Sequence, residues 1–116
     1  DIGATAVIVS NHGGRQLDGS RAPFDQLAAI VDAVGDKIDV VCEGGIQRGT
    51  HVLKAISVGA KACSGGRLYL YALATAGQKG VERALELYKA ELERDMKLMG
   101  CTKLEQLHRG NLRFRS

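Results

Sequence analysis

Short apolar runs along the chain alternate with longer segments in which apolar residues recur at helical spacing. The first run, ATAVIVSN at 4–11, is rich in Val and Ile and is typical of a buried strand. Together the short runs predict three strands, over 4–10, 38–43 and 61–64. A pair of glycines follows each predicted strand, at 13–14, 44–45 and 65–66.

The segments between and after these strands have apolar residues three and four positions apart. In the first, Pro23 stands where the first helical turn tolerates proline, and the apolar residues of 23–34 form one helix face. Further helices are predicted over 50–58, 68–76 and 79–99. The face of the last helix that we expect to pack inward on a sheet comprises Val81, Leu85, Tyr88, Leu92, Met96 and Met99. The spacing of Thr102 and Glu105 predicts a capping box for one more short helix.

The repeated order of strand, glycine pair and helix predicts parallel strands joined by right-handed crossovers. In such sheets ligands bind at the carboxyl ends of the strands. All three glycine pairs fall at those ends, so they indicate one shared site. The alternative is three ordinary tight turns, in which glycine is common.

Composition narrows the class of protein. The 116 residues suffice for one small domain, and 45% hydrophobic and 25% charged residues are typical of a globular one. The net charge of +3 is compatible with a small anionic ligand. Only 4% of the residues are aromatic and no basic stripe occurs, which argues against nucleic acid as a partner.

The three cysteines, Cys42, Cys63 and Cys101, have no metal-binding spacing, so we expect free thiols and no metal site. The sequence has no membrane-spanning apolar stretch and no signal-peptide pattern. We therefore expect a cytoplasmic protein, with a peripheral position at the inner membrane as the alternative.

The loop after the first strand, SNHGGRQ at 10–16, carries the candidate chemistry. A neutral imidazole at His12 can accept a proton, and the Arg15 guanidinium can hold a carboxylate through two hydrogen bonds. Such a pair suits an acid with a removable proton near its carboxylate. On spacing alone, a structural histidine beside a surface arginine explains the pattern equally well.

The longer stretch SNHGGRQLDG resembles the signature of the FMN-dependent L-2-hydroxy acid dehydrogenases and oxidases. The similarity continues through EGGIQRGTHVLKAISVGAKA, the GGR at 65–67 and most of the remaining chain. In that family these motifs lie in the last three strand–helix units of a TIM (β/α)8 barrel. The resemblance therefore implies an α/β fold, the C-terminal portion of such a barrel, and a chain (1–116) that is a fragment of a longer one.

The resemblance also implies roles for particular residues. His12 would be the catalytic base, Arg15 would bind the substrate carboxylate, and Ser10 would lie against the flavin. Two further segments would bind the ribityl chain and phosphate of FMN: Glu43, Gly44, Gly45, Ile46 and Gln47 in the first, and Gly66 and Arg67 in the second.

Three positions depart from the family pattern. Glu43 stands where the family usually has Asp, Gln47 where it has Arg, and Leu68 where it has Pro. Glu43 can still accept a hydrogen bond from a ribityl hydroxyl, but Gln47 removes a positive charge from the phosphate site. The neighbouring Arg48 is one candidate to replace that charge, although adjacent residues point in different directions.

The implied activity is oxidation of an L-2-hydroxy acid such as L-lactate, with oxygen, a quinone or a cytochrome as electron acceptor. We expect this chain alone to be inactive, because earlier strands of the family supply a lysine near the flavin, pocket tyrosines and the aspartate that orients the histidine.

The implied partners are the small acid, the remainder of the barrel and further copies in a homo-oligomer. The alternatives are another FMN- or phosphate-binding barrel enzyme, such as IMP dehydrogenase, and a non-catalytic fragment.

Overall fold

The computed structural model describes residues 2–114 and contains one parallel sheet in the order β1–β2–β3. The strands are β1 Ala6–Val9, β2 Asp39–Glu43 and β3 Ala62–Ser64. Strand pairing is parallel throughout, which confirms the predicted direction of the three strands. Each strand is one to three residues shorter than predicted because the ladder ends where the flanking loops turn away.

Three helices follow the strands: α1 Pro23–Val34, α2 Gly49–Val58 and α3 Arg67–Leu98. Pro23 occupies the start of α1, as predicted, since its missing N–H needs no helical acceptor there. Gly59 ends α2 with φ of 123°, a conformation that a residue with a Cβ rarely adopts.

The helix α3 replaces the two predicted helices at 68–76 and 79–99. It is interrupted only at Ala76 and Gly77, where φ and ψ leave the helical range. Gly77 has φ of 57° and ψ of −143°, which glycine accommodates because it has no Cβ. The predicted break is therefore in the right place, but the helix resumes at once after a kink instead of a loop.

The core lies between the sheet and the helices α1 and α2. Leu27 of α1, Cys42 of β2 and Ala55 of α2 are completely buried there. The apolar face of α1 packs on this core as predicted, with Ile30, Val31 and Val34 partly buried against it.

The helix α3 packs on α2, whereas the sequence predicted that it would cover the sheet. Gly49 permits this contact, because a Cβ there would overlap the carbonyl oxygen of Tyr88 and lie 2.6 Å from the amide nitrogen of Leu92. The predicted inward face is wrong at two positions, since Leu85 is 58% exposed and Met99 is 38% exposed. The short helix α2 covers only part of α3, so these two residues have nothing to pack on.

The segment after α3 forms two 3-10 turns, Leu104–Gln106 and Arg109–Asn111, instead of the predicted α-helix. Gln106, and not Glu105, caps the first turn. Its side-chain oxygen accepts hydrogen bonds from the backbone N–H groups of Thr102 (2.6 Å) and Lys103 (3.0 Å). The turn begins one residue later than predicted, with Lys103 at the N-cap, so Gln106 and not Glu105 is the third residue after the cap.

The cysteines are free thiols, with Cys42 buried and Cys63 and Cys101 half-buried. Burial, with a smaller contribution from the neighbouring Cys42, raises the pKa of the Cys63 thiol to about 12. This thiol therefore stays protonated and unreactive near neutral pH. Within residues 2–114, none of the helices combines the length and the apolar character needed to cross a bilayer.

Candidate active site

A cavity of about 570 Å³ lies at the carboxyl ends of the three strands. All three glycine pairs contribute to its wall, which confirms that they share one site. Ligand sites in proteins commonly have this size. The cavity is lined by Asn11, Gly13, Ala22, Pro23, Phe24, Glu43, Gly44, Gly45, Ile46, Gln47, His51, Lys54, Gly66, Arg67 and Leu68.

The loop after β1 is held in an unusual backbone conformation. His12, Gly13 and Gly14 have consecutive positive φ values of 52°, 68° and 73°. Asn11 stabilises this turn, since its side-chain oxygen accepts from the Gly13 N–H (3.0 Å) and its carbonyl accepts from the Gly14 N–H (2.9 Å). Positive φ strains a histidine, and such strain is characteristic of functional sites.

Two side-chain hydrogen bonds connect this loop to the ends of the other strands. Ser10 donates its hydroxyl proton to Glu43 at the end of β2, and the same hydroxyl oxygen accepts from the His12 N–H at 3.0 Å. Arg67, at the start of α3, donates to the carbonyl of Gly13. The candidate catalytic loop and the two candidate cofactor segments therefore form one connected unit.

His12 and Arg15 themselves are exposed and do not line the cavity. Neither side chain has a hydrogen-bond partner among residues 2–114, and both belong to the loop that contributes Asn11 and Gly13 to the cavity wall. Their side chains are thus available to a ligand at the mouth of the cavity.

The loop after β2 makes a close approach to the start of α1. Gly44 has φ of 108°, and a Cβ there would lie 3.0 Å from the Pro23 ring and 3.3 Å from the side-chain oxygen of Asn11. Ile46 is buried, and its carbonyl accepts a hydrogen bond of 2.9 Å from the Tyr88 hydroxyl. Gln47 lines the cavity, and its N–H donates to Nδ1 of His51 (3.3 Å).

A carboxylate from α3 already compensates the positive end of the α2 dipole. Glu91 accepts a 2.7 Å hydrogen bond from the Gly49 N–H and pairs with the Arg48 guanidinium. The Arg48 hydrogen bond is the main reason that the Glu91 pKa falls to about 2. Arg48 therefore faces α3 and does not line the cavity, so it does not replace the charge that Gln47 lacks.

The start of α3, in contrast, is open to the cavity. Gly66, Arg67 and Leu68 line it, and no side chain caps this helix. The first N–H groups of a helix have no acceptor within the helix, so they bind anions. A Cβ on Gly66 would lie 3.5 Å from the Glu43 carboxylate, which shows how closely the two cofactor segments approach.

These residues fit FMN, the cofactor that the sequence resemblance implies. The uncapped helix start and Arg67 suit the phosphate, and the Glu43 carboxylate suits ribityl hydroxyls. Pro23, Phe24 and Leu68 give the cavity an apolar wall. Among the residues that the structure describes, no group of three or more His, Cys, Asp or Glu is placed to hold a metal ion.

The sequence reasoning gave no site role to seven cavity residues: Asn11, Ala22, Pro23, Phe24, His51, Lys54 and Leu68. His51 and Lys54 lie three positions apart within the predicted helix over 50–58, so they share one helix face. That spacing was the available signal, but the sequence does not say which face of α2 turns toward the glycine loops.

Comparison with known proteins identifies the family. The model of the FMN-dependent dehydrogenase family matches residues 1–114. The chain is 48% identical over 107 residues to an L-lactate oxidase of Nostoc sp., covering 92% of this chain and 29% of that one. It is 46% identical over 112 residues to the L-lactate dehydrogenase (cytochrome) of Saccharomyces cerevisiae, covering 92% of this chain and 19% of that one.

A solved structure gives the same result. A soluble mutant of the membrane-associated (S)-mandelate dehydrogenase from Pseudomonas putida superposes with a TM-score of 0.92 at 40% identity, covering 97% of this chain and 32% of that one. The chain thus spans a third or less of the length of these three proteins. Sequence, fold and the connected strand-end loops agree, and the chain belongs to the family of FMN-dependent dehydrogenases.

Proposed function

We propose that this chain supplies part of the active site of an enzyme that oxidises an L-2-hydroxy acid, such as L-lactate, to the 2-oxo acid. The observation that carries the proposal is the connected set of strand-end loops, in which Ser10 bonds to Glu43 and Arg67 bonds to Gly13 beside one cavity. The relatives that share the sequence include an L-lactate oxidase and an L-lactate dehydrogenase, which supports this class of substrate.

In this proposal the two cofactor segments hold FMN. Glu43 accepts hydrogen bonds from ribityl hydroxyls, and the Gly66–Arg67 segment binds the phosphate at the open start of α3. Ser10 lies against the flavin. The ribityl side of the site is completed by Gly44, Gly45, Ile46 and Gln47. Bound there, FMN supplies the acceptor for the hydride equivalent that an alcohol must lose to become a ketone.

His12 accepts the accompanying proton from the substrate, and Arg15 binds the substrate carboxylate. The strained turn supports these roles, because Asn11 and the Arg67 contact fix the backbone on both sides of His12. A fixed backbone limits the positions that the imidazole can take, which favours a productive geometry.

We further propose that the three strand–helix units are the C-terminal part of a (β/α)8 barrel, completed by chain outside 1–116. Both outer strands of the sheet, β1 and β3, have an unpaired edge within residues 2–114, which supports this arrangement. The rest of the barrel would contribute the remaining flavin and substrate contacts, and the intact protein would be a homo-oligomer.

The test uses the intact protein and its His12→Asn variant. Asn adopts positive φ more readily than Ala, so this variant removes the base without straining the turn. We expect flavin reduction by L-lactate in stopped flow to fall by about 10²–10⁴-fold, the usual contribution of a general base. The flavin content should stay the same, because His12 does not line the cavity.

The matched control is His108→Asn, in the segment before the second 3-10 turn, which should reduce flavin at the parental rate. Parental kinetics in His12→Asn would show that His12 is not the base. An intact protein that neither binds FMN nor oxidises any short 2-hydroxy acid would contradict the proposed function as a whole.

A further inference from the structure

Two side-chain cations line the cavity, Lys54 and Arg67, and neither forms an ion pair with a carboxylate among residues 2–114. Lys54 lines the cavity from α2, and no acidic group of residues 2–114 lies within ion-pair distance of it. Arg67 donates to the Gly13 carbonyl, which fixes its guanidinium beside the loop after β1 and leaves its charge available to an anion. The only acidic lining residue, Glu43, accepts the Ser10 hydroxyl instead.

Other sources of positive charge near Gln47 are already used. Arg48 pairs with Glu91, and the same carboxylate binds the first N–H of α2. Gln47 is itself uncharged. His51 Nδ1 accepts the Gln47 N–H, which turns the face of α2 that carries His51 and, three residues later, Lys54 toward the cavity.

We propose that Lys54 supplies the positive charge that binds the phosphate monoester of the cofactor, in place of a charge at position 47. This inference rests on the proposed function, since it names a binding residue for the same site. A lysine carries its charge at the end of a long, flexible side chain. Lys54 can therefore reach a phosphate from the middle of α2, although its Cα lies in the helix and not in a glycine loop. The negative phosphate compensates this ammonium, which adds to the positive charge of Arg67 at the start of α3.

The test compares FMN with riboflavin, which lacks the phosphate. Binding of each flavin to the intact apoprotein is followed by quenching of flavin fluorescence, for the parent and for Lys54→Gln. We expect the Kd for FMN to rise about three- to fivefold, the upper part of the range for an ion pair that is exposed to solvent. The Kd for riboflavin should not change. The difference between parent and variant should shrink in high salt, because salt screens an exposed charge.

Two further variants make the test specific. Lys54→Arg retains the charge and should keep FMN affinity close to that of the parent. Lys61→Gln removes the same charge at the opposite end of the sheet, beside the start of β3, and should change neither Kd.

The outcomes separate this inference from the proposed function. An FMN Kd for Lys54→Gln within twofold of the parent would overturn the role of Lys54 and leave the proposed function standing. An equal loss of FMN and riboflavin binding would also overturn it, because the phosphate would then not be the group bound. A parent protein that binds neither flavin would overturn both.

Discussion

At the scale of single residues, the site depends on a histidine in a conformation that favours glycine. The left-handed backbone of His12 costs on the order of 1–3 kcal/mol. The hydrogen bonds of Asn11 within the turn, and that of Arg67 to Gly13, offset this cost. A Cβ on Gly13 would overlap the Arg67 guanidinium, so a glycine at position 13 permits this contact. The turn therefore holds the backbone of His12 in place although the His12 side chain is exposed.

The role of Arg15 can be tested at the same scale. Arg15→Lys keeps the charge but loses the planar fork that binds a carboxylate through two hydrogen bonds. We expect the KM for L-lactate to rise about tenfold and kcat to fall, because a misplaced substrate reacts more slowly. Steady-state kinetics of the intact protein measure both, and the flavin spectrum should not change.

The control for this experiment is Arg21→Lys, in the same loop, where the arginine bonds to Gln26 and does not line the cavity. It should leave both kinetic parameters unchanged. If Arg15→Lys also keeps the parental KM, Arg15 is a surface residue and the carboxylate is bound elsewhere.

Some site residues could be predicted from sequence and others could not. Glu43 and Arg67 lie in conspicuous glycine motifs at the ends of strands, and the structure brings them to one cavity. Lys54 belongs to an ordinary amphipathic helix, and its place in the cavity depends on how α2 is rotated about its axis. That rotation is set by packing on the core and on α3 together, which no local pattern in the sequence reveals.

At the scale of elements, the contact between α2 and α3 is polar at its centre. Glu91 binds the start of α2, and Thr50 donates a 2.5 Å hydrogen bond to Asp95 one turn further along α3. The Thr50 hydrogen bond is the main cause that lowers the Asp95 pKa, as the Arg48 bond does for Glu91. The anionic groups of α3 thus complement the positive end of the α2 dipole.

This contact predicts a pH dependence of stability. The pKa of Glu91 falls from an ordinary 4.5 to about 2, so its contribution to stability is complete above about pH 4.5. The contribution is lost as the pH falls from there through 2, where the carboxylate takes up a proton. We expect Glu91→Gln to lower the urea midpoint of the intact protein at pH 6, with the two midpoints converging as the pH approaches 2.

Glu86→Gln is the control, because Glu86 forms an exposed pair with Arg83 on the outer face of α3. Its urea midpoint should follow that of the parent at every pH. A constant difference between Glu91→Gln and the parent from pH 6 to 2 would show that packing, and not ionisation, accounts for the effect.

At the scale of the whole molecule, the parallel direction of the strands follows from the sequence, whereas the placement of α3 does not. The repeated order of strand, glycine pair and helix determines a parallel sheet, because successive parallel strands need a crossover. The buried face of α3 cannot be deduced in that way, since α3 packs on α2 and not directly on the sheet. Leu85 illustrates the limit, because its spacing is helical and yet it is 58% exposed.

The open sheet predicts how the 116-residue polypeptide behaves when it is produced alone. Both β1 and β3 are edge strands within residues 2–114, and Ile8 of β1 is 61% exposed. Unpaired parallel edges and exposed apolar side chains promote association between chains. We expect light scattering after size exclusion to give a mass well above the 12.4 kDa of one chain.

Ile8→Lys should reduce this association because it places a charge on the exposed edge strand, whereas Leu98→Lys, at the far end of α3, should not. A monodisperse monomer with one cooperative thermal transition would contradict the open-barrel arrangement, because such a monomer would need no further strands to complete its core.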